Sequence, residues 1–245
     1  MTSLTKEQKQ SINSNELFNN RWQLYQKILN HNYMEHREIY GILNQLLSNY
    51  FQKPFSVLEL GCGDASFTIQ ALLNTNIVAY TGIDLSQDAL AIAQDNMALT
   101  PYSKHFLQGN FSEIVAQLMQ SQEHSFDVAL TSFAFHHLNL EQKEQVISEL
   151  SHLLNPNGVF IIIDMICSEG ESQEAYIQRY LENVRQNWSQ LTSQEVDMVG
   201  NHICNEDLPE TQNTLYSIAQ KHNFTRCECL YRDPQDISQL LCFYK

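Results

Sequence analysis

The segment Val57-Leu58-Glu59-Leu60-Gly61-Cys62-Gly63-Asp64-Ala65 limits the fold most, because it predicts an apolar strand, a tight glycine turn and a helix in direct succession. Gly61 and Gly63 allow unusual backbone dihedral angles and let a ligand approach the main chain closely. The N-terminus of the following helix suits a carboxylate of that ligand. The next predicted strand ends at Asp84, whose carboxylate can accept hydrogen bonds from both hydroxyls of a ribose. The two segments together predict a ligand of the nucleotide type.

Strands alternate with helices along the middle of the chain. The predicted strands are Ser56–Leu60, Ile77–Ile83, His105–Gln108, Phe126–Thr131 and Val159–Asp164. Two further strands, Phe224–Tyr231 and Gln239–Tyr244, have a connection so short that an antiparallel hairpin is favoured over a crossover helix. We therefore predict an α/β fold, a doubly wound and mostly parallel seven-stranded sheet with a reversed last strand. Such a sheet binds ligands at the carboxyl ends of its strands.

Two polar, helical regions flank or interrupt this alternation. Residues from Lys6 to Tyr50 contain no proline and predict helix, and Ser168–Glu210 predicts a mostly helical insertion. We predict an N-terminal helical lid at 1–50 and a main domain at 51–245 that carries a helical cap at 168–210. In the N-terminal region apolar and aromatic residues recur at three- or four-residue steps, namely Trp22, Tyr25, Leu29, Tyr33, His36 and Tyr40. This pattern fits a face packed on the main domain or a lid that contacts a substrate.

The composition favours a small-molecule ligand over nucleic acid. The chain of 245 residues carries 14 Lys and Arg against 28 Asp and Glu, which gives a formal net charge of −14. Binding of nucleic acid depends on cations that neutralise phosphates. We expect a cytoplasmic protein without a membrane partner, because no apolar run approaches the ~20 residues that a membrane span needs. The six cysteines form no C-x-x-C pair, so we predict buried thiols and no metal site.

Four segments in register resemble the class I methyltransferases that use S-adenosylmethionine, specifically the small-molecule branch. They are Glu59-Leu60-Gly61-Cys62-Gly63, Gly82-Ile83-Asp84-Leu85, Phe126-Asp127-Val128-Ala129-Leu130 with His136-His137-Leu138, and Leu153-Leu154-Asn155-Pro156-Asn157-Gly158. The resemblance covers roughly Val57 to Asp164. It implies methyl transfer from S-adenosylmethionine to an O or N atom of a small-molecule acceptor, with S-adenosylhomocysteine as the product.

The resemblance also implies roles for individual residues in binding the cofactor. Gly61, Cys62 and Gly63 would pass under the methionine part, and Glu59 would meet its amino group. Asp84 would bind the ribose hydroxyls and Leu85 would pack on the adenine. The remaining implied contacts are Asn110 and Phe111 at the adenine edge and Thr131 near the sulfonium. Two positions depart from the family pattern, since Ala65 replaces the third glycine and Asn110 replaces a common Asp.

Candidates for catalysis and acceptor binding come from the histidine loop and the N-terminal helices. A general base is needed only if the acceptor must lose a proton, and imidazole titrates near neutral pH. His137 and His136 are therefore the candidate catalytic residues, and either one also fits a packing role. Tyr33, His36, Arg37 and Tyr40 are the candidate acceptor-binding residues in the lid.

Other functions remain compatible with the sequence. A nicotinamide-binding oxidoreductase fits less well, because the third glycine of G-x-G-x-x-G would fall at Ser66. A protein methyltransferase would have an open groove without a lid. A non-catalytic descendant that binds the cofactor, or nothing, and acts through a partner fits less well, because the set of Gly61, Gly63 and Asp84 is intact.

Overall fold

The computed structural model describes residues 23–121 and 125–245. A single sheet runs in the order β3-β2-β1-β4-β5-β8-β7, and the short strand β6 pairs with β5 outside this order. The strands are β1 Phe55–Leu60, β2 Ile77–Asp84, β3 Ser103–Gln108, β4 Phe126–Ser132, β5 Leu154–Cys167, β6 Glu210–Thr211, β7 Arg226–Arg232 and β8 Ser238–Tyr244. Strands β1 to β5 pair in parallel, whereas β8 is antiparallel to both β5 and β7.

The described helices fill the connections between these strands. They are α1 at 23–30, α2 His36–Tyr50, α3 Ser66–Leu72, α4 Gln87–Asn96, α5 Phe111–Ser121, α6 Leu140–Leu153, α7 Gln173–Asn187, α8 Ser193–Glu206 and α9 Gln212–Lys221. A single 3₁₀ turn, Phe135–His137, follows β4. The predicted α/β fold with its reversed last strand is confirmed, and the two-residue strand β6 is an addition to it. None of the described helices is both long enough and apolar enough to span a membrane.

Helices cover both faces of the sheet, which explains the continuous apolar runs in its central strands. On β5, Ile161 packs with residues of α2, α3 and α4, whereas its neighbour Ile162 packs with residues of α5, α6 and α9. Both side chains are fully buried. A parallel strand that is covered on both sides reads as apolar at every position instead of alternating. Because β1, β2 and β4 are parallel, the loops that follow them lie at the same edge of the sheet.

The N-terminal helix breaks where the sequence predicts continuity. The prediction of helix from Lys6 to Tyr50 is wrong at residues 31–35, which form a turn between α1 and α2. Asn32 adopts a left-handed φ of 56°, which asparagine tolerates, and its Oδ1 accepts a hydrogen bond from the backbone N–H of Arg37 at 3.0 Å. This side-chain contact offers the backbone an alternative to helix. Trp22 lies outside the described residues.

The insertion helices α7 and α8 share an apolar cluster with α1. The cluster contains Leu24 and Ile28 from α1 together with Tyr176, Tyr180, Val184, Trp188, Val199 and Ile203. Lys27 Nζ forms a part-buried ion pair with Glu195 Oε2 at 2.8 Å. The predicted lid and cap therefore pack on each other in the described part of the chain. The division into domains at residue 50 stays a prediction.

Helix α6 begins with a capping box, as the sequence pattern indicates. Asn139 Oδ1 accepts from the backbone N of Gln142, and Gln142 Oε1 accepts from the backbone N of Asn139, both at 2.9 Å. We predict that Asn139→Ala lowers the free energy of unfolding by about 1 kcal/mol, because the backbone N–H of Gln142 loses its acceptor. Urea unfolding monitored by circular dichroism measures the change. Asn139→Asp keeps the acceptor and should retain the stability, and an equal loss in both variants would contradict the capping role.

Candidate active site

The glycine turn after β1 is held by the end of β2. The backbone N–H groups of Gly61 and Cys62 both donate to the Ile83 carbonyl at 2.9 Å. Gly61 has a φ of 71°, and a Cβ placed there would lie 2.5 Å from the Cβ of Ala134. Gly63 has a φ of 52°, but a Cβ there would meet nothing within 4 Å. Gly61 is therefore required by packing, whereas Gly63 leaves open space above the turn.

The Asp84 carboxylate joins two turns at the same edge of the sheet. Its Oδ2 accepts from the backbone N of Gly63 and its Oδ1 from the backbone N of Ser86, both at 2.8 Å. Each carboxylate oxygen has a second lone pair, so the group can still accept from a ligand. The neighbouring Leu85 side chain is 70% exposed and presents apolar surface beside this carboxylate. This pair matches the chemistry of a ribose and the ring attached to it.

Ala65 and Cys62 affect the turn in different ways, Ala65 through its backbone conformation and Cys62 through its buried side chain. Ala65, at the position of the family's third glycine, is buried and adopts a left-handed φ of 54°. For a residue with a Cβ this conformation costs about 1–2 kcal/mol, so the substitution introduces backbone strain as well as tighter packing. The Cys62 side chain is buried, and a Cβ added to Gly82 would lie only 2.8 Å from the Cys62 Sγ. Because its side chain is buried, Cys62 borders the turn through its backbone.

Glu59 is a carboxyl group buried beneath the turn. Its Oε1 accepts from the Thr68 hydroxyl at 2.7 Å and its Oε2 from the Tyr80 hydroxyl at 2.5 Å. Burial raises the pKa of Glu59 to about 7, although both hydrogen bonds act in the opposite direction. A buried carboxylate without a cation is unfavourable, so the site gains from a positively charged ligand group. Thr68 and Tyr80 are site residues that the sequence analysis does not identify.

A cavity of about 40 Å³ lies between α2 and the glycine turn. Its lining combines the turn with Tyr25, His36, Tyr40, Glu59, Thr68, Ser132 and Phe133. The His36 ring contacts those of Phe67 and Phe133, with centroids 4.9 and 4.8 Å away. Burial lowers the pKa of His36 to about 4, and its Nδ1 has no hydrogen-bond partner in the described structure. His36 is thus a neutral imidazole with a free polar atom beside the cavity.

The four predicted acceptor-binding residues do not lie together. His36 and Tyr40 line the cavity, whereas Tyr33 stacks on Trp188 with centroids 5.1 Å apart. Arg37 is exposed, and its guanidinium donates to the Asn30 carbonyl at 2.9 Å. Residues 33 and 37 are close to His36 and Tyr40 in sequence but lie on other faces of the N-terminal segment. Sequence spacing alone could not place Tyr33, because the turn at 31–35 separates it from the helix that carries His36 and Tyr40.

The remaining predicted cofactor residues occupy the loops after β3 and β4. Asn110 Oδ1 accepts from the backbone N and the hydroxyl of Ser112, at 3.0 and 2.8 Å, so it caps α5. Phe111 is half-buried against the α5–α6 side of the core. Thr131 is fully buried, and its Oγ1 has no hydrogen-bond partner in the described structure. The adenine contact of Asn110 stays a prediction, and its oxygen already accepts two hydrogen bonds.

The two histidines predicted for catalysis are absent from the cavity lining. His136 is buried, and its Nδ1 lies 2.5 Å from Asp164 Oδ1. Burial acts to lower the pKa of His136, but the Asp164 carboxylate outweighs it, so the pKa is raised. His137 is exposed and its Nδ1 pairs with the Glu206 carbonyl at 3.1 Å. The structure thus places His36, and neither of these histidines, beside the glycine turn.

Comparison with known proteins agrees with this geometry. Residues 58–160 match a family described as a methyltransferase domain. An uncharacterized methyltransferase of Bacillus cytotoxicus is 29% identical over 163 residues, which is 66% of this chain and 70% of that protein. An O-methyltransferase family protein from Burkholderia thailandensis has a similar fold, with a TM-score of 0.60 and 13% identity. That match covers 87% of this chain and 57% of the other, so the chain spans little more than half of that neighbour.

A second structural neighbour was solved with S-adenosylmethionine bound. It is the magnesium protoporphyrin IX methyltransferase of Synechocystis, with a TM-score of 0.55 and 14% identity over 86% of this chain and 79% of that one. The fold of the chain is Rossmann-like, and its glycine turn lies at the carboxyl edge of the parallel strands. Through these matches, the chain is similar in sequence to methyltransferases over residues 58–160 and shares its fold with class I methyltransferases, one of which binds S-adenosylmethionine.

The raised pKa of Glu59 predicts a pH dependence of stability. The ligand-free folded state favours protonated Glu59. The protonated group therefore stabilises the fold fully below about pH 4.5, and this stabilisation is lost as pH rises through 7. We expect the free energy of unfolding of the native protein, relative to that of Glu59→Gln, to fall by about 3 kcal/mol across this range of pH. Glutamine resembles the protonated carboxyl group, and the Thr68 and Tyr80 hydroxyls can still pair with it.

Chemical unfolding of both proteins at pH 4.5, 6 and 8 measures this difference, and the comparison cancels groups that titrate in both. A difference that is constant with pH would show that Glu59 titrates normally.

Proposed function

We propose that this protein transfers a methyl group from S-adenosylmethionine to an O or N atom of a small-molecule acceptor. The observation that carries the proposal is the cavity that joins the glycine turn and Glu59 to the aromatic side chains of α2. A site for the donor and a site for the acceptor would thus meet at one place. The net charge of −14 further favours a small acceptor over nucleic acid.

The residues at the edge of the sheet fit the cofactor in shape and charge. The open position above Gly63 provides room beside the backbone, and Asp84 retains lone pairs for two ribose hydroxyls. Exposed Leu85 would pack on the adenine ring. Glu59 would meet the ammonium of the methionine part, and that positive charge would stabilise the carboxylate in its buried position. The contact with Glu59 compensates a buried carboxylate that is unfavourable without a ligand.

The bound cofactor supplies an electrophilic methyl group on a sulfonium, which reacts readily with an aligned lone pair. The chain must therefore mainly orient the acceptor and exclude water, and orientation alone can supply ~7–11 kcal/mol of the barrier reduction. Tyr40, Phe67 and Phe133 surround His36 and provide an apolar boundary for this purpose. The present cavity has room for only a few water molecules, so acceptor binding requires the N-terminal helices to move.

His36 is the residue we propose to orient the acceptor. Its pKa of about 4 makes it a weak base, so it serves as a neutral hydrogen-bond partner for the O–H or N–H of the acceptor and does not fully remove a proton. Its Nδ1 lacks any other partner in the described structure, and such a buried polar atom gains from a ligand group. The small volume of this cavity also disfavours a protein substrate, which would need an open groove.

Calorimetric titration with S-adenosylmethionine and S-adenosylhomocysteine tests the cofactor. We predict micromolar binding of both and a loss of roughly ten- to a hundred-fold in Asp84→Ala, because two charge-assisted hydrogen bonds disappear. Asp95→Ala is the matched control, since this exposed carboxylate lies on α4 and is absent from the cavity lining. Circular dichroism must show that both variants are folded. Failure of the native protein to bind either compound would refute the proposed function.

A panel of phenols, alcohols and amines, assayed by release of S-adenosylhomocysteine, tests the acceptor and the role of His36. For an acceptor that is turned over, we predict that His36→Ala lowers kcat/KM roughly ten- to a hundred-fold, because the reacting group loses a buried hydrogen-bond partner. The affinity for S-adenosylmethionine should stay unchanged. His137→Ala separates the two candidates, and a large loss in that variant with none in His36→Ala would favour the histidine predicted from the sequence.

A further inference from the structure

Four side chains from two segments meet where the 3₁₀ turn after β4 contacts the end of α8. They are His136, His137, His202 and Asp207, and one donor atom from each lies within 4.8 Å of those from the others. His136 and Asp207 are buried, whereas His137 and His202 are exposed. The group therefore has a buried floor and an opening to solvent. It lies apart from the cavity lined by the glycine turn.

In each of the three imidazoles, Nδ1 is in contact with an oxygen atom of another residue. The Nδ1 of His136 lies 2.5 Å from Asp164 Oδ1, that of His137 lies 3.1 Å from the Glu206 carbonyl, and that of His202 lies 3.1 Å from Glu206 Oε2. Carbonyl and carboxylate oxygens only accept hydrogen bonds, so each Nδ1 carries the proton. The lone pair of each neutral ring is then on Nε2. Metal-binding histidines commonly donate the other ring N–H to an oxygen in this way.

Asp207 supplies a carboxylate that lacks a hydrogen-bond partner. The residue is only 1% exposed, and neither of its carboxylate oxygens accepts a hydrogen bond in the described structure. Its Oδ1 lies 3.5 Å from His136 Nε2 and 3.8 Å from His202 Nε2. An unpaired buried carboxylate is costly, which indicates that a cation completes the site. Adjacent backbone contacts hold this segment, since Leu208 N donates to the His136 carbonyl at 2.8 Å.

We propose that these four residues bind a divalent transition-metal ion, and that Zn²⁺ is the ion that fits best. Imidazole nitrogen and carboxylate oxygen both suit Zn²⁺, which takes four ligands in tetrahedral sites. Metal–ligand bonds of about 2.0–2.1 Å place ligand atoms about 3.3 Å apart, close to the Asp207 contacts. The exposed rings of His137 and His202 can make the small remaining adjustment. The sequence predicts no metal here, because the two segments, 136–137 and 202–207, are more than sixty residues apart along the chain.

A site with four protein ligands leaves no position for a substrate, so the metal acts in structure and not in methyl transfer. It links the cap, through His202 and Asp207, to the loop after β4, through His136 and His137. Asp164 on β5 would orient His136 as an outer partner. Metal binding at this group requires neither the cofactor nor the residues of the cavity. An experiment that rejects metal binding therefore leaves the proposed methyl transfer untouched, and the reverse also holds.

Metal titration of untagged protein, first stripped with a chelator and desalted, tests the site. We expect one Zn²⁺ per chain with a submicromolar dissociation constant, measured by competition with a chromophoric zinc indicator at pH 7.5. Co²⁺ in place of Zn²⁺ should give the intense visible absorption of a four-coordinate ion. His202→Ala should weaken Zn²⁺ binding roughly a hundred-fold or more, since it removes a ligand outright. The exposure of His202 makes this variant compatible with folding.

His152→Ala is the matched control, because His152 is also an exposed helical histidine but lies outside the group. It should bind Zn²⁺ like the native protein. Zn²⁺ should also raise the unfolding temperature of the native protein and of His152→Ala, but not that of His202→Ala. Absence of stoichiometric binding, or equal affinity in His202→Ala, would overturn the proposal and leave His136 as an imidazolium between Asp164 and Asp207.

Discussion

Hydrogen bonds from the glycine turn to Ile83 and Asp84 determine the geometry of the candidate active site. The Ile83 carbonyl accepts from two successive N–H groups of the turn, and the Asp84 carboxylate accepts from Gly63 and from the next loop. Turns between a strand and a helix have unpaired donors, and here the neighbouring strand satisfies them. The same carboxylate that shapes the turn is then the group available to a ligand. Structure and ligand binding therefore depend on one side chain.

Beneath this turn, the chain buries polar groups that lack a compensating charge. Glu59 has two hydroxyl donors but no cation, and the His36 imidazole has an unpartnered nitrogen. Both groups are shifted toward their neutral forms, Glu59 by a raised pKa and His36 by a lowered one. Such groups lower the stability of the ligand-free protein. They favour the binding of a ligand that supplies the missing charge or hydrogen bond. The positive charges of S-adenosylmethionine would be compensating partners for Glu59.

The cap is joined to the sheet by buried polar contacts as well as by its apolar cluster. His136 pairs with Asp164 on β5 and faces Asp207 beyond α8, while the Lys143 ammonium donates to the Leu208 carbonyl. Removing one partner of a buried charged pair leaves the other partner without a counter-charge. Movement of the cap would separate these pairs, so the contacts hold the cap in one position. The histidine loop that the sequence analysis considers for catalysis therefore has a structural role in this chain.

The sequence alone determined the fold class, the reversed last strand, the turn that carries Gly61 and Gly63, and the strand that ends at Asp84. Local periodicity and glycine positions are properties of short segments, and they suffice for these features. The tertiary structure alone decided that His36 lies beside the turn and that His136 and His137 meet His202 and Asp207. These contacts join residues that are tens of positions apart, and their geometry depends on how α2 and α8 pack on the sheet. Periodicity within a segment carries no information about that packing.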